Sequence, residues 1–122
     1  MIRMSVQIGA APKTKKLKVL KQCSLTSDGT EQILAEFEGI GKVYGSLDLH
    51  SMMAGDTIIV RQWIKLLADS EYQKYAEETY QGIQQMPVIY FPDKATDVAI
   101  KITLQQTEGI FRNFPHNFMV ED

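Results

Sequence analysis

The feature that most constrains this chain is its period. Apolar side chains recur at every second position, segment after segment, and a period of two is the signature of a strand with one buried and one wet face. Val98, Ile100, Ile102 and Leu104 alternate with Ala99, Lys101, Thr103 and Gln105. From Thr57 to Leu67, one face carries Ile58, Val60, Ile64 and Leu66, interrupted by Gln62, and the other carries Ile59, Arg61, Trp63, Lys65 and Leu67. Leu17, Val19, Cys23 and Leu25 form a third alternation, and Ile33, Ala35 and Phe37 a fourth. Met4-Val6-Ile8, Leu47-Leu49 and Val88-Ile89-Tyr90-Phe91 are shorter candidates, the last bracketed by Pro87 and Pro92 as suits an edge strand. The closing run puts Ile110, Phe114, Phe118 and Val120 on one parity, broken by Arg112 and His116.

Turn chemistry separates these runs. Ser27-Asp28-Gly29-Thr30 contains Asp-Gly, a strong hairpin signal. Ala54-Gly55-Asp56 precedes the strongest strand, and Glu108-Gly109 suits a tight turn. Residues 70–86 fit two templates. Ser70-Glu71-Tyr72-Gln73 resembles a helix capping box, with Tyr72, Ala76, Thr79, Ile83 and Met86 at helical spacing. Tyr72, Ala76 and Tyr80 also share a strand face, and a strand here completes a hairpin with 57–67, so strand is favoured. Many short strands with turns at regular spacing predict an all-β fold, a single β-sandwich or barrel of about eight antiparallel strands, with less than about 15% helix. At 122 residues, one such domain accounts for the chain. The expected division is a basic N-terminal arm or edge strand over 1–16 and the sandwich over 17–122.

Charge is distributed unevenly. Residues 1–21 hold six basic and no acidic side chains, and the remainder holds seven basic and fifteen acidic ones. Such an arm can meet the acidic body of a neighbouring copy, through a contact that salt weakens. Nucleic acid is disfavoured, because the arm has a single arginine and no interleaved aromatics. No apolar run approaches the length of a membrane-spanning helix, and Met1-Ile2-Arg3-Met4-Ser5 does not open a secretory signal. No membrane partner is expected.

Chemistry-bearing motifs are sparse. There is no Walker motif, no H-E-x-x-H, no C-x-x-C and no G-x-S-x-G. Gly39-Ile40-Gly41-Lys42 reads as a turn or bulge. Asp48 and His50 share a face, but nothing places His116 near them, so no metal site is expected and both histidines read as surface residues. Glu77 and Glu78 are adjacent on a strand and point to opposite faces, which prevents convergence. Asp28, Asp56 and Asp93 lie in turn contexts that their side chains stabilise. Cys23, the lone cysteine, falls on an apolar alternation and is expected to be buried and unreactive. No cofactor and no enzymatic activity are expected. Trp63 stands out, because the better apolar face of its strand is the other one. An indole between Arg61 and Lys65 is a common interface anchor, so these three residues are the candidate interface. Tyr72, Tyr75, Tyr80 and Tyr90 add amphipathic aromatics, which leaves a sugar or peptide platform as an alternative.

Three phrases carry a resemblance. They are Gly45-Ser46-Leu47-Asp48-Leu49 followed by Ala54-Gly55-Asp56-Thr57-Ile58-Ile59-Val60-Arg61, then Tyr75-Ala76-Glu77-Glu78-Thr79-Tyr80, then Lys101-Ile102-Thr103-Leu104-Gln105-Gln106-Thr107-Glu108-Gly109. Over about residues 45–114 the chain resembles short β-rich proteins found among phage and archaeal-virus structural genes. The resemblance implies a virion or capsid-associated β-sandwich of jelly-roll type, a structural protein that self-assembles or binds a shell protein. Its expected location is the virion, or the host cytoplasm during assembly. It carries no site residues.

Overall fold

A computed structural model describes residues 16–122. The short candidate Met4-Val6-Ile8 and all but the last residue of the basic arm lie outside them. Eight strands follow one another: β1 (Leu17–Thr26), β2 (Gln32–Glu38), β3 (Gly41–Asp48), β4 (Thr57–Lys65), β5 (Gln73–Gln81), β6 (Val88–Thr96), β7 (Ala99–Glu108) and β8 (Asn113–Glu121). No helix occurs among the described residues, and residues 73–81 are strand.

Two four-stranded sheets form, in the orders β1-β8-β3-β6 and β2-β7-β4-β5. Every pairing is antiparallel. The pairs β1–β8, β2–β7, β3–β6 and β4–β5 are those of one long hairpin folded over on itself, with β8–β3 and β7–β4 closing the sheets. This is the eight-stranded jelly roll, a β-sandwich. Its connections cross between the sheets at one end through 27–31, 49–56, 82–87 and 109–112. Because the two sheets run in matched order, these four crossovers lie side by side in the sequence 27–31, 109–112, 49–56, 82–87.

The core follows from the period. Ile58, Val60, Ile100, Ile102 and Leu104 face Val43, Leu47, Phe91, Phe114, Phe118 and Val120 from the opposing sheet. Ile102 is buried and Lys101 points to the opposite face, where its ammonium lies 4.5 Å from the Tyr72 ring centroid and 5.4 Å from that of Trp63. Ile102→Ala should therefore cost about 2–5 kcal/mol, and Lys101→Ala about 1 kcal/mol through lost cation–π contact. Equal costs in denaturant melts would mean that the strand faces are reversed.

Two strands run longer than the alternation indicates. β3 contains Gly41 and Gly45, which interrupt the apolar pattern, and β6 continues through Pro92 and Asp93. Proline fits there because β6 is an edge strand and the register shifts opposite it, between Val43 and Gly45.

Candidate functional site

β4 places Arg61, Trp63 and Lys65 together on the outer face of the β2-β7-β4-β5 sheet. Their neighbours hold them. The Arg61 guanidinium donates to Glu77 at 3.1 Å and to Gln105 at 3.0 Å, and lies 3.5 Å from Glu31. The Trp63 indole N–H donates to Glu31 at 3.0 Å and meets the Thr103 hydroxyl at 3.3 Å. The Lys65 ammonium lies 5.3 Å from the Tyr72 ring centroid, and the Tyr72 hydroxyl donates to Glu36 at 2.6 Å. Burial and the Glu36 carboxylate both push the Tyr72 phenol above its ordinary range. Lys74 and Arg61 together hold the Glu77 carboxyl below its ordinary range. Trp63 is thus half-buried by side chains of its own chain. The other tyrosines disperse. Tyr80 packs against the core, Tyr75 donates to Gln62, and Tyr90 projects from β6 on the other sheet.

Two expectations are corrected. Cys23 is exposed, not buried. A bulge between Val19 and Lys21 breaks the alternation, which turns Leu17 and Val19 out to solvent, and β1 is the edge strand of its sheet. Alternation identifies a face; it does not say whether the opposing sheet covers it. Conversely, His116 is buried on the core face of β8 beside Phe118, not on the surface. Its Nδ1 lies 3.0 Å from the Phe114 carbonyl, which can only accept, so Nδ1 carries the proton. Nε2 lies 3.4 Å from the Cys23 sulfur. The pair borders an open depression of about 410 Å³ lined also by Ser24, Ser46, Asp48 and Asn117. Cys23 should react with a bulky thiol reagent in the native protein at a rate near that of the unfolded chain. Protection by orders of magnitude would show that the strand edge is covered. His50 lies 2.8 Å from Asp48, which lines the same depression as His116, and the described residues bring no three metal-ligating side chains together.

The crossover end holds what the sequence reading missed. Asp56 is buried, and its carboxylate accepts from the Met53 N–H at 2.9 Å, the Ile110 N–H at 3.1 Å and Arg112 Nε at 2.8 Å. Its backbone carbonyl accepts from the Gly82 N–H at 2.8 Å. One residue thus ties three crossovers together. Burial opposes the charge on Asp56, but Arg112 and the backbone donors outweigh it and hold its carboxyl below the ordinary range. Gly109, at φ +95°, makes this possible, since a Cβ there would fall 2.1 Å from Asp56 Oδ1. Gln106 joins the fourth crossover. Its amide N–H groups donate to the carbonyls of Glu108 and Ile110, and its oxygen accepts from the Ser27 hydroxyl. Gln106 continues the core parity of Ile100, Ile102 and Leu104, and a polar residue on an apolar parity was the available signal. The crossovers so held carry exposed Met53, Ile83, Met86, Ile110 and Phe111.

No protein-family model and no curated protein matches the chain. Among solved structures, a chain in the structure of infectious bursal disease virus, Gx strain, is similar over 96% of this chain at 13% identity, with a TM-score of 0.51. A chain of the T=1 particles derived from infectious bursal virus is similar over the same share at 12% identity, with a TM-score of 0.48. This chain spans about a third of either, 36% of its length. The likeness is one of fold: an all-β sandwich of the kind found in a virus chain.

Proposed function

We propose that the protein is a non-enzymatic structural component of a virus particle, which assembles with copies of itself or with a shell protein. The observation that carries this reading is the fold likeness to a chain of a virus structure, spanning nearly all of this chain. Such an inference rests on architecture rather than on a shared site. The use of the buried polar groups supports it. Asp56, Gln106 and Ser27 are spent on holding loops in place, which is structural work. The basic N-terminal segment is a further contact in this proposal, from the arm of one copy to the acidic body of the next.

Light scattering and negative-stain microscopy of the purified full chain test the reading. Concentration-dependent assembly, or incorporation into shells formed by a co-expressed shell protein, is the expected result. A protein that stays monomeric, joins no shell and is retarded on a polysaccharide matrix would replace this reading with that of a carbohydrate-binding module. On the Arg61–Trp63–Lys65 face, Trp63→Ala should weaken assembly at all salt concentrations if that face is an interface. Deletion of residues 1–16 should weaken it mainly at low salt.

A further inference from the structure

The surface through which copies meet is a separate matter from whether they meet. The outer face around Trp63 has its polar groups paired within the chain. The crossover end is different. Ile110 and Phe111 stand on 109–112, Met53 on 49–56, and Ile83 and Met86 on 82–87, three loops that are consecutive in the row set by the strand order. Met86 is 88% exposed, Ile110 69%, Ile83 66%, Phe111 55% and Met53 51%. Scattered apolar residues on a surface need no explanation, but five in one row do.

We infer that this row is the contact by which copies of the chain associate end to end, an inference that rests on the particle reading above. Three observations favour a second copy as the occupant. The first is charge. The four crossovers contain no lysine, and their one arginine, Arg112, is bound to Asp56, whereas Asp28 and Glu31 flank the row. A nucleic acid or an anionic bilayer finds no lysine and no unpaired arginine there, and His50 lies against Asp48. The charged groups of the three loops are paired within the chain, Arg112 with Asp56 and His50 with Asp48, so the row can meet its own image without like-charge repulsion, as a symmetric contact between identical chains requires. The second is area. Five side chains at these exposures present on the order of 600 Å² of apolar surface, close to the roughly 800 Å² that each partner contributes to a standard interface. The third is rigidity. The bonds of Asp56 to Met53, Ile110, Arg112 and Gly82 fix the three loops before contact, so association orders little that is not already ordered. Composition agrees, since methionine and phenylalanine are enriched and lysine depleted at the centre of protein interfaces.

Sedimentation velocity of the full chain, compared with the double variant Met86→Lys/Ile110→Lys, tests the inference. Both side chains are solvent-exposed and neither belongs to the core, so thermal melting should stay within a few degrees of the wild type. The expected result is a wild type that assembles and a variant whose association is weakened about tenfold or more. Wild type and variant assembling with equal affinity would overturn the inference and leave the particle reading standing. A wild type that remains monomeric at every concentration would also overturn it, and the particle reading would then depend on a separate shell protein. Flotation of that monomer with phosphatidylcholine vesicles, abolished by the two lysines, would assign the row to a bilayer instead.

Discussion

Asp56→Ala should lower the stability of the fold by about 3 kcal/mol. The substitution leaves Arg112 without its carboxylate and strips the N–H groups of Met53 and Ile110 of their acceptor. Removing one member of a buried pair costs about 3–5 kcal/mol, and the partial exposure of Arg112 moves this case to the lower end. The effect depends on pH. The Asp56 carboxyl is held below its ordinary value in the folded protein, so its charge stabilises the fold above the unfolded carboxylate pKa of about 3.9. That contribution is lost as pH falls through the lower, folded value. Asp56→Asn keeps an acceptor but removes the charge, so it should be less damaging than alanine and should flatten the acid limb of the stability curve. Urea melts of the three proteins from pH 7 down to pH 3 measure this. An alanine variant as stable as the wild type at pH 7 would mean that the crossovers do not depend on Asp56.

Gly45→Ala should be comparably severe, although it adds a single methyl group. A Cβ at Gly45 would lie 2.0 Å from Cδ2 and 2.4 Å from Cε2 of Phe118. The ring cannot retreat cheaply. Phe118 is fully buried, with the Phe91 ring centroid 5.4 Å away and that of His116 6.1 Å away. Overpacking of this kind costs about 1–3 kcal/mol, and the depth of the overlap places this case at about 3 kcal/mol. Phe118→Leu should relieve it. In a double-mutant cycle, the paired substitutions should cost at least about 1 kcal/mol less than the sum of the singles. Simple additivity would show that the Phe118 ring does not restrict residue 45.

The two predictions mark where a linear reading of the chain runs out. Gly45 interrupts an apolar alternation, and in the sequence that interruption shortens β3 to its last residues. In the folded chain, glycine stands there because β3 and β8 are neighbours and the Phe118 ring lies over its Cα. Asp56 reads correctly as a turn residue, and its N–H does bond the Met53 carbonyl. Its bonds to residues 82, 110 and 112 span 26 to 56 positions, and no local pattern indicates them.

The sequence by itself determined the fold class, the existence of most strands and the inward faces wherever no bulge intervenes, because a period of two and a turn residue are local properties of the chain. In β2 the register shift between Ile33 and Ala35 overturns the expected Ile33-Ala35-Phe37 face, turning Leu34 into the core and leaving Ile33 exposed. Ile58, Val60, Ile100, Ile102, Leu104, Phe114 and Phe118 are all inward as their parity requires. It also placed Arg61, Trp63 and Lys65 on one outward face. Tertiary structure alone decided what covers each face. Cys23 pairs across the sheet with buried His116 yet is exposed, because β1 is an edge. Trp63 is half-buried without a partner, because Glu31, Thr103 and Lys101 arrive from elsewhere in the chain. Tertiary structure alone also brought four loops, far apart in sequence, into one row. Nesting strands one to four against strands eight to five is a long-range pairing, and its consequences for solvent exposure cannot be read from any single segment.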